Sequence, residues 1–186
     1  GFDASIPIVK EFKHINEPKY LMFEVLAERT LAIAQQFRIK NPEEGYSPFL
    51  DSYITPIIDD CLQNNIKIIS NIGAANPLGA AKRILQIAKE QMTRKPKIGV
   101  VVGDDLLEYM SNKEILESPT MEGLDFSNNQ ITAANVYLGA KPIAEALSKG
   151  ADIVIVGRTV DSALALGPLI YEYNWKNEEL DLLGSG

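Results

Sequence analysis

The sequence predicts a three-layer α/β domain, a mostly parallel sheet flanked by helices on both faces in a Rossmann-like or doubly wound arrangement. Three observations carry this reading. The short apolar runs Lys19–Glu24, Ile66–Ser70, Lys97–Val102 and Ala151–Val156 do not alternate with polar residues, as expected of strands buried on both faces. Stretches with helical spacing separate them. Glycine, asparagine and aspartate gather where each run hands over to the next helix.

Taken in order, Gly1 to Ala4 (GFDA) reads as a turn leaving a strand that is absent, and KYLMFE is the first strand present. A helix follows from Val25 to about Ile39, with Leu26, Thr30, Ile33 and Phe37 as its inner face. Asn41-Pro42 ends it, because the residue before proline disfavours the helical region. Residues 43–52 are a loop. A helix then runs to Asn64 with Ile57, Ile58, Cys61 and Leu62 inward, capped by Thr55 or kinked at Pro56 if it starts earlier. After IKIIS, a helix from Pro77 to Met92 places Leu78, Ala81, Leu85, Ala88 and Met92 on one face, at intervals of 3, 4, 3 and 4. KIGVVV leads through Gly103-Asp104-Asp105 into a short helix. Residues 111–130 read as a polar insertion and Ile131–Leu138 as a further strand. A helix over Lys141–Lys149 stops at Gly150. ADIVIV is the last strand, followed by a helix interrupted at Gly167-Pro168.

The 186 residues suit one domain and fall short of the roughly 250 of a full (β/α)₈ barrel. Hydrophobic residues make up 46% of the chain, enough for a core. Eighteen basic against twenty-five acidic residues leave −7, which argues against a nucleic-acid or anionic-membrane surface. With Cys61 the only cysteine and His14 the only histidine, an internal disulfide and a Cys/His zinc site are excluded within the chain. No apolar run reaches the ~18 residues of a membrane span. The expectation is a soluble, cytoplasmic domain. The opening GFDA and the apolar stretch before Gly186 suggest a piece of a longer polypeptide, prone to self-association.

Parallel α/β folds bind ligands beyond the carboxyl ends of their strands. The candidate residues lie there. Asn71 and Gly73 sit in a strand-to-helix turn whose backbone N–H groups suit an anion, and Asn76 either joins them or caps the next helix. Asp104 and Asp105 offer paired carboxylates for a base or a divalent ion, or else favour the N-terminus of the helix that follows. Arg158 can clamp a carboxylate or phosphate, with Asp161 one turn on as a base or as its structural partner. Glu28 and Arg29 open another helix as a cap, a surface pair or part of the site. No G-x-G-x-x-G, Walker loop or G-x-S-x-G elbow is present, so no cofactor is named.

GFDA, LAERTLA, SNIGAANP, VVVGDD, NVYLGAKPIAEAL and GADIVIVGRTVDSALALGPL, read together and in order, resemble the N-terminal domain of the acyclic terpene utilisation AtuA family. One departure is Ala74-Ala75, where that pattern leads us to expect a glycine. GADIVIVGR is also similar to the phosphate-gripping strand end of decarboxylase-type barrels. The family resemblance implies longer chains and a role in breaking down citronellol or geraniol, by a route that passes through acyl-CoA carboxylation. Two functions follow. One is an enzyme acting on a small anionic metabolite, a carboxylate or acyl thioester, held by Asn71, Gly73, Asn76, Arg158 and Tyr137 with Asp104, Asp105 or Asp161 as base. The other is a noncatalytic subunit that assists an acyl-CoA carboxylase.

Overall fold

The computed structural model describes residues 2–120, 123, 130–176 and 178–185. Its sheet consists of β1 (Lys19–Phe23), β2 (Ile66–Ser70), β3 (Ile98–Val101) and β4 (Ile153–Val156), in the order β1-β2-β4-β3. Every neighbouring pair is parallel. The register runs Phe23 to Ser70 to Ile155 to Val100, so the four carboxyl ends finish level along one edge.

The helices are α1 (Ser5–Phe12), α2 (Glu28–Lys40), α3 (Leu50–Ile54), α4 (Ile58–Gln63), α5 (Pro77–Glu90), α6 (Asn112–Leu116), α7 (Lys141–Ser148), α8 (Ala163–Tyr173) and α9 (Leu180–Ser185). Strand order explains their placement. The steps from β1 to β2 to β3 move one way across the sheet and the step to β4 turns back. Right-handed crossovers then put α5 and α7 on opposite faces. Two cores confirm this. Ile66, Ile68, Ile153 and Ile155 pack with side chains of α3, α4 and α5. Ile69, Val101, Val154 and Val156 pack with Ile143 and Leu147 of α7 and Leu164 of α8. Consecutive residues of β4 thus feed opposite layers, which is why this strand has no polar position.

Several local expectations change. Ile131–Leu138 is not a strand: it makes only two isolated bridges, Asn135 to Asp105 and Leu138 to Thr159, and crosses the strand ends as a strap. Residues 2–12 are helical: Phe2–Ala4 form a single 3₁₀ turn that runs directly into α1; Gly1 lies outside the described residues. Within the polar insertion α6 forms at 112–116, while 121, 122 and 124–129 lie outside the described residues. α3 starts inside the expected loop, and the chain breaks at Thr55–Ile57 around Pro56 before α4, whose expected inward residues are all buried. α8 runs through Gly167-Pro168 without interruption. A Cβ at Gly167 would lie 2.5 Å from Ile143 Cγ2, so the glycine lets α8 press against α7.

Two helix faces are rotated from expectation. α5 buries Ala80, Ala81, Ile84, Ile87 and Ala88, whereas Leu78 is 59% exposed and Leu85 half-buried. Met92 lies beyond the helix end, 92% exposed with φ +53°. Two adjacent stripes have helical spacing here, and the isoleucines take the sheet. α2 buries Leu31, Ala34 and Gln35 and leaves Thr30, Ile33 and Phe37 exposed. Ile84→Ala should therefore cost about 2–5 kcal/mol in a urea melt, while Leu78→Ala should stay within about 0.5 kcal/mol. Equal losses would show the face is misassigned.

Candidate active site at the strand ends

Level strand ends bring Glu24, Asn71, Asp104 and Arg158 to one edge of the sheet. Asn71 ties β1 to β2. Its Oδ1 accepts the Val25 N–H at 2.9 Å and its Nδ2 donates to Glu24 Oε1 at 3.0 Å. Ser70 helps, donating to the Phe23 carbonyl at 2.8 Å. Gly73 follows where no side chain fits, since a Cβ would lie 2.6 Å from the Val156 carbonyl oxygen. Ala74 holds φ +44°, a conformation that favours glycine. The glycine expected from the family pattern thus has a physical counterpart.

The two acidic residues after β3 point apart. Asp104 Oδ2 accepts the Arg158 backbone N–H at 2.8 Å and an Asn135 Nδ2–H at 3.0 Å. The carboxylate lies against Gly157, where a Cβ would be 2.6 Å from Oδ1. Burial pushes the Asp104 carboxyl above its ordinary range, and the hydrogen bonds from Arg158 and Asn135 offset this in part. Asp105 caps the next turn through Leu107 N–H at 3.0 Å and meets Gln35 and Arg38 of α2, each at 3.4 Å.

Arg158 is 5% exposed. Its Nη1 donates to the Leu26 carbonyl at 2.8 Å and pairs with Asp161 at 3.2 Å, and Nη2 pairs with Glu28 at 3.3 Å. The Tyr137 ring covers the guanidinium, with Cζ 4.1 Å from its centroid. The Tyr137 hydroxyl donates to Glu28, a bond that, with Arg158 behind it, holds the Glu28 carboxyl below its usual range. Arg158 Nε is buried without a hydrogen-bond partner. Around this arginine a depression of about 260 Å³ includes Glu24, Leu26, Glu28, Thr30 and Asp161 in its lining. Val25, Leu26 and Thr30 also line a second, apolar cleft of about 180 Å³, with Ile33, Phe37, Tyr46 and Phe49. Asn71 and Ala74 close its inner end.

A family model described as "Acyclic terpene utilisation family protein AtuA" matches residues 2–186. The chain belongs to that family. No match was found among curated proteins or among solved structures.

In this AtuA-family chain, Arg158, Tyr137 and Asp161 are in contact, and Asn71 borders the cleft beside them. Asn76 does not join them: it caps α5 through the Gly79 N–H at 2.9 Å and donates to the carbonyls of Pro42 and Glu44. Both of its amide hydrogens are thereby used. Asp104 and Asp105 do not form a pair, and among the described residues no cluster of three or more His, Cys, Asp or Glu is placed to hold a metal. Among the described residues, no helix is long and apolar enough to cross a membrane. Glu28 was one of several open readings from sequence, while the cleft residues Ile33 and Phe37 were read as the inner face of a helix and not as site residues. The available signal was that α2 carries apolar residues on two faces, more than its packing on the sheet requires.

Two predictions follow from Asp104. Gly157→Ala should cost about 1–3 kcal/mol, because the new methyl meets both the carboxylate and the Ala74 carbonyl oxygen. A raised carboxyl means that the folded state holds its proton more tightly than the unfolded chain. The stability it supplies is therefore full below the ordinary value of 3.8 and lost as pH rises through the raised folded value. Urea melts across that range should show a steeper fall with pH for the native chain than for Asp104→Asn, and parallel curves would refute the assignment.

Proposed function

We propose that this domain belongs to an enzyme of acyclic terpene utilisation and holds an acyclic isoprenoid acid, of the citronellol or geraniol type, or its acyl thioester. The branched chain lies in the apolar cleft and its polar end meets Arg158. One observation carries the reading: the cleft and the arginine depression open at the same strand ends and share Val25, Leu26 and Thr30. A branched hydrocarbon offers no hydrogen bonds, so its recognition depends on apolar surface removed from water. Leu26, Ile33, Phe37, Tyr46 and Phe49 supply that surface. Of the three aspartates proposed as bases, Asp161 is the one that lines the depression; Asp104 and Asp105 position backbone instead.

A second reading, a noncatalytic binding or assembly subunit of an acyl-CoA carboxylase, draws support from the internal commitments of Asn71, Asn76, Asp104 and Asp105. The exposed Ile33, Phe37 and Phe49 would then meet a protein.

The test is calorimetric titration with an acyclic monoterpenoid thioester. The Phe37→Ala/Phe49→Ala double variant should bind it more than tenfold more weakly, or about 1.4 kcal/mol, with circular dichroism showing that the variant remains folded. Unchanged affinity would place the chain elsewhere. No binding to the native domain, together with Phe37- and Phe49-dependent association with a carboxylase subunit, would favour the assembly reading. Arg158→Ala should lower both affinity and stability, since it also removes the bond to the Leu26 carbonyl.

A further inference from the structure

We propose that two copies of this chain associate through the outer edge of β3, pairing antiparallel about a twofold axis at Gly99 to make one continuous sheet. This edge lies across the sheet from β1, whose end borders the apolar cleft, so association here leaves the cleft open.

β3 is an end strand, and among the described residues only β4 pairs with it. The Ile153 N–H donates to the Lys97 carbonyl at 3.3 Å. In the parallel register that sets Ile98 opposite Ile153, Lys97, Gly99 and Val101 turn their N–H and C=O groups toward β4. Ile98 and Val100 turn theirs outward. The strand is correspondingly less covered: Ile98, Gly99 and Val100 are half-buried, while all four residues of β4 are buried. An apolar edge with a free row of donors and acceptors is a template for another strand. Lysines often guard such edges, but Lys97 is drawn aside and donates to the Lys149 carbonyl.

A second copy fits this edge because the edge is complementary to itself. With the axis at Gly99, Ile98 of each copy lies opposite Val100 of the other and exchanges both backbone hydrogen bonds with it. Both are β-branched and share one face of the sheet, which makes a favourable cross-strand pair. On the other face the axis passes between two glycines, with no side chain to obstruct the helices above. α7 lies directly over this position, since a Cβ at Gly99 would be 2.7 Å from the Ala146 Cβ. With β3, Pro142, Glu145, Ala146 and Lys149 of α7 line a groove of about 440 Å³. A four-residue strand falls short of the roughly 1,200 Å² that a stable interface buries, so α7 has to share the contact. Its charges suit a twofold. Glu145 and Lys149 are exposed, one turn apart, and pair with each other at 2.6 Å. About the axis α7 runs antiparallel to its copy, so Glu145 of each copy meets Lys149 of the other. Two exposed pairs within helices, each worth little, are exchanged for two pairs across an interface.

Sedimentation equilibrium of the native chain should show a dimer with a dissociation constant on the order of 10 µM, as suits a small interface. Val100→Pro removes an outward N–H that β4 does not use, and proline is tolerated on edge strands. That variant should be monomeric with a native circular dichroism spectrum. Glu145→Lys should weaken the dimer at least tenfold by setting like charges against each other, and Glu145→Lys/Lys149→Glu should restore most of the loss. If Val100→Pro does not fold, the charge exchange decides, since both of its positions are exposed on α7. A native chain that stays monomeric at about 100 µM overturns the inference. So does a dimer that folded Val100→Pro or Glu145→Lys leaves intact. Dissociation by Phe37→Ala/Phe49→Ala alone would also overturn it, because the copies would then meet through the cleft.

Discussion

The Asp104 carboxylate joins the pieces on which the strand-end edge depends. It follows β3, yet its Oδ2 accepts the first backbone N–H beyond Gly157 at the end of β4 and also holds Asn135 of the strap. Around this contact the chain adds the Val136 N–H to the Asp104 carbonyl at 2.9 Å and the Thr159 hydroxyl to the Leu138 carbonyl at 2.6 Å. These bonds fix the strap, and the strap brings Tyr137 onto Arg158. Only a glycine at 157 leaves room for the carboxylate. A buried acid whose proton affinity is raised is an expensive device, and its return is a defined geometry where two strands and a connection meet.

Asn71 plays the corresponding part on the other half of the sheet. Its amide accepts from the chain leaving β1 and donates to Glu24, so the first residues after β1 and β2 move as one. Polar residues that looked like ligand contacts are, in this respect, the means by which strand ends satisfy their backbone groups. What faces solvent is a smaller set: Tyr137, Glu28, Asp161 and the rim of the apolar cleft. The chain belongs to the acyclic terpene utilisation family, and an apolar cleft opens beside these residues.

The parallel sheet and the carboxyl-edge location of the candidate residues were legible in the sequence because they follow from short-range regularities. IKIIS was bounded as the strand is observed, and ADIVIV to within two residues. An uninterrupted apolar run has few other uses in a chain of this composition. The motifs that resemble the AtuA family spread over the whole chain and did not depend on knowing any contact. The glycine expected near Ala74 was a backbone statement, and φ +44° at that alanine is its counterpart.

Tertiary structure decided whatever depended on which of two equivalent surfaces meets a neighbour. Leu78 and Ile84 belong to competing stripes of α5, and only the sheet beneath distinguishes them. Ile33 and Phe37 look like core by spacing, yet the core takes Leu31 and Ala34 and leaves them to form the cleft. Asp104 and Asp105 are neighbours in sequence, but opposite orientations give one to β4 and the other to α2. Arg158 is the clearest case. Its position at a strand mouth and its nearby partner Asp161 were set by the local chain, while the second carboxylate against it came from Glu28, 130 residues away. Periodicity and local composition act within a few residues and can be read directly; the electrostatics of a buried cation depend on every element packed around it.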